Sequence, residues 1–174
     1  MRFIVLFLTL TGNMILQSTL FKYIEIIGIK PNTALLFVVS CAILRGDAEG
    51  AAAGFYAGLL QDFFFGRLIG LNALVYMTVG YACGKPFKDF FHETIFFPLL
   101  LGGASAFAYS LCSYLINFML TGRLDFIYYL RKIILPETVY TIALSIPVYR
   151  LTYALNSRLE GREKRRRMLF GDSK

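Results

Sequence analysis

The chain has 174 residues, 57% of them hydrophobic and only 17% charged, with a formal net charge of +7 and a mean hydropathy of +0.60. Soluble domains carry roughly 25% charged residues, and a single domain of this length has too little interior to hide so much apolar surface, so the composition excludes an ordinary soluble domain. The charge excess is local: from Arg158 onward seven basic residues stand against three acidic ones, a net +4, and they directly follow an apolar stretch, which argues against a nucleic-acid-binding domain.

A membrane-crossing helix needs roughly 20 apolar residues, and the sequence offers six candidate stretches. The first, Phe3 to Phe21, follows Arg2 in the manner of a signal peptide. It is long, however, and no small-residue cleavage site follows it, so it reads as a retained helix. Asn13 and Gln17 lie four residues apart on one face, and because amides are costly against lipid that face is expected to meet other helices. After a loop from Lys22 to Lys30, the second stretch opens at Pro31, whose missing N–H costs nothing at a helix start. It carries Asn32 and ends before Arg45; it is short, and Ile24 to Ile29 or a small tilt would let it cross.

A charged turn, Arg45 to Glu49, leads to the third stretch, Gly50 to Phe65, where Gly50, Gly54 and Gly58 recur on one face. Such glycines let backbones approach closely, either inside the bundle or at a face for a second protein or a second copy of the chain. The fourth stretch, Ile69 to Gly84, contains Asn72 and ends in Gly80 and Gly84, and a polar loop from Lys85 to Glu93 holds the sole histidine, His92. The fifth, Ile95 to Leu120, is the longest; Ala106 and Ser110 form a milder small-residue face, and Asn117 lies near its end. A loop from Thr121 to Lys132 includes LDFIYYLRK, whose tyrosines and flanking charges suit a membrane–water interface. The sixth, Ile133 to Leu155, opens with Pro136 and contains Pro147. The expected architecture is an all-α bundle of about six transmembrane helices over residues 1–157, followed by a basic tail, 158–174.

With six spans both termini share one side. That side holds twelve Lys and Arg residues and the other holds six. The positive-inside bias therefore places both termini in the cytoplasm.

Asp62 stands beside Gln61 at the end of the third stretch. A carboxylate at a helix centre costs about 2.5–3.5 kcal/mol on insertion scales, less near the interface, and is retained where it has a partner. Two readings are open: Asp62 caps a tight turn between two helices, or it serves a partner protein or a cavity, with Arg67 available as its counter-charge. Glu137, after Pro136, would sit at an electropositive helix N-terminus, or else take a proton or ion role. Asn32, Asn72, Asn117 and Glu137 are candidates for interhelical hydrogen bonds. Arg162, Lys164, Arg165, Arg166 and Arg167 in the tail suit anionic lipid headgroups, at about 1 kcal/mol per basic residue, as well as a cytoplasmic partner or a plain topology signal. The three cysteines, Cys41, Cys83 and Cys112, show no paired spacing and read as small buried hydrophobes. No nucleophile with a base, metal-ligand spacing or phosphate-binding loop is present in the sequence, which argues against an enzyme and a cofactor.

LQST in the first stretch (Leu16 to Thr19), PNTALLFVV opening the second (Pro31 to Val39) and above all GFYAGLLQDFFFGRLIGLNAL (Gly54 to Leu74) resemble the rod shape-determining protein MreD family. The later pattern of Pro136, Tyr140, Thr141 and Pro147 strengthens the likeness, which spans nearly the whole chain. The resemblance implies a non-enzymatic component of the bacterial elongation machinery in the cytoplasmic membrane, similar in fold to the substrate-binding subunits of energy-coupling-factor vitamin transporters. It implies MreC as the partner, with MreB filaments, RodA and a class B penicillin-binding protein in the wider complex that directs lateral peptidoglycan synthesis and rod shape. Gly58, Gln61, Asp62, Gly66 and Gly70 are then the shared motif. The alternative function is the vitamin-binding subunit itself. Such subunits present small residues on the first helix, whereas the clean glycine series here lies on the third, which favours a scaffold.

Overall fold

The computed structural model describes residues 2–19, 31–65, 70–85, 96–121 and 126–170, with the side chains of 2–6, 18, 65, 96–97, 117, 119–121 and 159–170 outside that description. Among the described residues there is no strand. The order is α1 (Arg2–Thr19), α2 (Thr33–Arg45), α3 (Asp47–Phe65), α4 (Leu71–Gly84), α5 (Phe96–Thr121), a single turn α6 (Phe126–Tyr129), a π-helical turn (Leu130–Ile134) and α7 (Leu135–Phe170). The fold is all-helical, as the composition requires. Among the described residues one helix, over Pro98–Ile116, suffices by length and composition to cross a membrane, and Thr33–Arg45 is apolar but shorter.

α2 is the axis of the bundle. It packs against α1, α3, α4, α5 and α7, and all its residues from Thr33 to Ile43 are buried. A helix apolar on every side can be surrounded in this way without stranding polar groups. Its thirteen residues rise only about 20 Å, and residues 24–29, named above as an extension, lie outside the described residues. Asn32 caps it: Leu35 N–H donates to Asn32 Oδ1 at 3.0 Å.

The charged turn expected over Arg45 to Glu49 contracts to Gly46. This residue has φ 94°, a left-handed conformation open to glycine. Its N–H donates to the Ala42 carbonyl (2.8 Å) and closes α2, while its own carbonyl accepts from Gly50 N–H (3.0 Å) and starts α3. Asp47 and Glu49 therefore lie in the first turn of α3, where the helix end favours negative charge. Arg45 pairs with Glu49 (3.1 Å) and donates from Nε to Asn156 Oδ1 (2.8 Å), tying the end of α2 to α7.

α3 and α4 form an antiparallel pair in backbone contact. Gly84 lies against Asp47, Gly80 against Gly50, Tyr76 against Gly54 and Ala73 against Gly58, one pair per helical turn. A methyl group on Gly54 would land on the Tyr76 carbonyl, and one on Gly58 would land on Ala73 and the Asn72 carbonyl. A methyl on Gly50 would come within 2.6 Å of Ala42 Cβ and 2.8 Å of the Gly80 carbonyl oxygen. The glycine face singled out in the sequence is thus spent inside the bundle, where close backbone packing holds the pair.

The sixth stretch departs most from expectation. Its helix does not open at Ile133–Pro136; helical backbone begins at Phe126 and reaches Phe170, through the tail. Leu135 N–H bonds back to the Leu130 carbonyl, a five-residue step, immediately before Pro136. Proline lacks an N–H and its ring collides with the carbonyl four residues earlier, so the widened π turn accommodates it. Glu137 consequently sits inside a continuing helix, and a free helix N-terminus does not account for it.

Gly54→Ala is expected to destabilise the bundle by about 2–3 kcal/mol, through overpacking of two backbones. Gly12→Ala on α1, where an added methyl meets nothing within 4 Å, should be neutral or stabilising by about 0.5–1 kcal/mol. Thermal unfolding of both variants in one membrane mimetic checks the contrast.

Candidate functional site

The GLLQD element ends α3, and Asp62 is where its chemistry concentrates. Its side chain is 2% exposed. Gly70 N–H donates to Oδ2 at 2.8 Å, Ala73 N–H to Oδ2 at 3.1 Å and Asn72 N–H to Oδ1 at 3.1 Å. These are the donors that a helix start leaves unsatisfied, and the charge lies at the positive end of α4. Gly70 itself adopts φ 99°, so the turn that aims its N–H at Asp62 needs a residue without Cβ. Asp62 thus clamps the start of α4 to the end of α3, which is the capping reading of the two given above. Gln61 is half-buried, and its Oε1 has no partner among the described residues. Gly66 and the proposed counter-charge Arg67 lie outside the described residues.

A polar chain continues from this clamp into the bundle. Asn72, whose N–H is held by Asp62, accepts from the Tyr109 hydroxyl of α5 at 3.0 Å. The Tyr109 ring meets that of Tyr76 edge-on, with centroids 5.3 Å apart. The Tyr76 hydroxyl donates to Asn32 Oδ1 at 2.8 Å, on the oxygen that caps α2. Next to Tyr109, Ser110 donates to Glu137 Oε2 on α7 at 3.0 Å. Five helices are therefore joined at one end of the bundle by hydrogen bonds among Asp62, Asn72, Tyr109, Tyr76, Asn32, Ser110 and Glu137.

Asn32, Asn72 and Glu137 were legible as interhelical candidates because polar residues in apolar stretches must find partners. Tyr76 and Tyr109 were not singled out, since a tyrosine in an apolar run is ordinary; a tyrosine buried as deeply as Tyr76 nevertheless needs a partner for its hydroxyl. Asn13 and Gln17 do turn inward, with Gln17 buried, yet Asn13 Nδ2 and Gln17 Oε1 find no partner among the described residues. The side chain of Asn117 and those of Arg162, Lys164, Arg165, Arg166 and Arg167 lie outside the described residues. No group of three His, Cys, Asp or Glu side chains that could hold a metal ion forms among the described residues.

The outside is the inverse of a soluble surface. Phe63 is 80% exposed, and Phe64, Leu74, Ile127, Val139 and Leu151 are exposed as well, while amides, hydroxyls and carboxylates turn inward. An all-helical fold with this inversion is that of a helical membrane protein, because only helices and closed barrels satisfy their backbone in lipid. The family model for the rod shape-determining protein MreD matches residues 1–158, and the chain belongs to that family. Its role is accordingly in determining rod shape. The match ends where the basic tail begins. No curated protein and no solved structure matches the chain.

Asp62→Ala should cost about 3 kcal/mol, because three N–H groups lose a charged acceptor, and Asp62→Asn, which keeps one acceptor oxygen, about half of that. Hydrogen exchange at the amides of Gly70, Asn72 and Ala73 should accelerate in both, most in the alanine variant. Tyr76→Phe should cost about 1 kcal/mol, since Asn32 Oδ1 keeps its bond from Leu35; thermal unfolding measures it.

Proposed function

We propose that the protein is a non-enzymatic, multi-pass scaffold of the bacterial elongation complex, with both termini in the cytoplasm, that binds MreC and thereby supports lateral peptidoglycan synthesis. RodA, the class B penicillin-binding protein and MreB belong to the wider assembly, and the basic tail lies at the cytoplasmic membrane surface among anionic lipids. The observation that carries this reading is the family match over nearly the whole apolar part of the chain. The sequence supports the topology through its excess of Lys and Arg on one side.

The geometry narrows where a partner helix would dock. The glycine seam of α3 is filled by α4, so it is not available to a second protein. α1 packs mainly on α2 and α3, and on its outer side Leu8 and Leu16 are exposed. Behind them, Asn13 and Gln17 carry polar atoms without partners among the described residues, which supports α1 and its seam with α3 as the docking face. A partner helix bringing a hydroxyl or amide there would satisfy both.

Affinity purification of the tagged full-length protein from native membranes, with mass spectrometry of its partners, tests the reading. MreC with cell-wall synthases is the expected recovery; a transporter's coupling subunit and ATPases would replace the scaffold with the vitamin-binding alternative. Leu16→Trp should lower MreC recovery about tenfold, roughly the effect of losing 1.4 kcal/mol of binding, while Leu74→Trp on the exposed side of α4 leaves it unchanged. Equal recovery with both variants would move the docking face away from α1.

A further inference from the structure

Hydroxyls on these helices generally bond back to their own turn. Thr11, Ser40, Thr138, Ser145 and Thr152 each donate to a carbonyl three or four residues earlier. Thr33 and Thr141 break the pattern: their Oγ1 atoms are buried and have no partner among the described residues, in residues only 2% and 0% exposed. A buried hydroxyl without a partner calls for an explanation.

The register of α2 against α7 brings the two together. Arg45 meets Asn156 at one end of the pair, and further along Gly102 lies against both Leu36 and Ser145. The two helices therefore run parallel, and three residues earlier on each Thr33 comes level with Thr141 and Ile142. Glu137 is one turn before Thr141 on the same face of α7, with Cβ atoms about 6 Å apart. It accepts one hydrogen bond, from Ser110, and among the described residues the ion pair is Arg45–Glu49, at the other end of the bundle. Tyr76 and Tyr109 belong to the polar chain at this end of the bundle. Their hydroxyls donate to Asn32 and Asn72, so each phenol oxygen retains lone pairs for accepting.

We propose that this level of the bundle binds a sodium ion, ligated by the Glu137 carboxylate and the hydroxyl oxygens of Thr33 and Thr141. An ionised carboxylate inside an apolar bundle is costly unless it meets an opposite charge, and one carboxylate balances one positive charge. The donors are all hard oxygens, which suit alkali and alkaline-earth cations and not the metals that prefer nitrogen or sulfur. Calcium sites commonly draw on several carboxylates, and here there is one. Thr33 and Thr141 are no more than 2% exposed and Glu137 is partly buried, a setting that fits a single ion and not a molecule.

The test uses the full-length protein in neutral-lipid nanodiscs, melted while helicity is followed in sodium, potassium or choline chloride of equal ionic strength. A saturable rise in melting temperature of about 5 °C is expected in sodium alone, the size that linkage gives for a ligand well above its dissociation constant. Glu137→Gln and Thr141→Val should abolish the rise, and Thr141→Ser, which keeps the hydroxyl, should retain it. Identical melting in all three salts would overturn the site, as would a sodium effect that survives both disruptive variants. A Thr141→Val protein that gains stability equally in every salt would assign the level to plain packing or a bound water. Should Glu137→Gln fail to fold, the valine and serine pair decides alone. No step involves MreC, so this result stands or falls apart from the scaffold reading.

Discussion

The bundle is organised by a backbone-to-backbone contact between α3 and α4 that only glycine permits, locked at one end by Asp62. In lipid, helices gain nothing from burying apolar side chains that the bilayer would solvate equally well, so close packing and hydrogen bonds must supply the association. The contacts of Gly54 with Tyr76 and of Gly58 with Ala73 supply the first, one turn apart along the seam. Asp62 supplies the second by accepting the free N–H groups at the start of α4. With that hairpin set, Tyr76 and Asn72 are presented to α2 and α5, and the rest of the polar chain has fixed donors to meet.

The two ends of the molecule are tied differently. At the end that carries Asp62, neutral amides, phenols and hydroxyls connect five helices, and a carboxylate is held by backbone dipoles. At the other end, Arg45, Glu49 and Asn156 join α2, α3 and α7 through a partly buried ion pair. The division follows from dielectric: an ion pair is tolerated near the water boundary, while deeper groups must be neutral or satisfied on the spot. A network that is nearly complete rigidifies a core, and the few atoms left over then mark places where another group is needed.

This view separates two roles that the glycine-rich sequence had left open. The glycine face of the third helix is an internal seam filled by α4, which moves attention to α1, the helix held mainly by two neighbours and carrying amide atoms without partners among the described residues. It also changes the meaning of Glu137. In a helix that starts at Pro136, its charge would be compensated by the helix end; in one that runs from Phe126 through a π turn, that compensation is gone and the carboxylate needs another partner.

Much was legible in the chain itself. Runs of apolar residues separated by charged turns dictate a helical membrane bundle, because lipid leaves an unpaired backbone no other solution. The spacing of Gly50, Gly54 and Gly58 dictates one face of close approach, and the motif around Asp62 marks the family and a carboxylate that needs a partner. Periodicity along one helix carries no information about which neighbour fills that face, since the same small-residue stripe serves an internal seam and an external dock equally well. Only the tertiary structure decided that α4 occupies it, that Asp62 binds the Gly70, Asn72 and Ala73 amides, and that Tyr76 and Tyr109 bridge Asn32 and Asn72. Those pairings join residues 8 to 44 positions apart, and the crossing of helices that makes them is set by packing in three dimensions, beyond the reach of any local pattern.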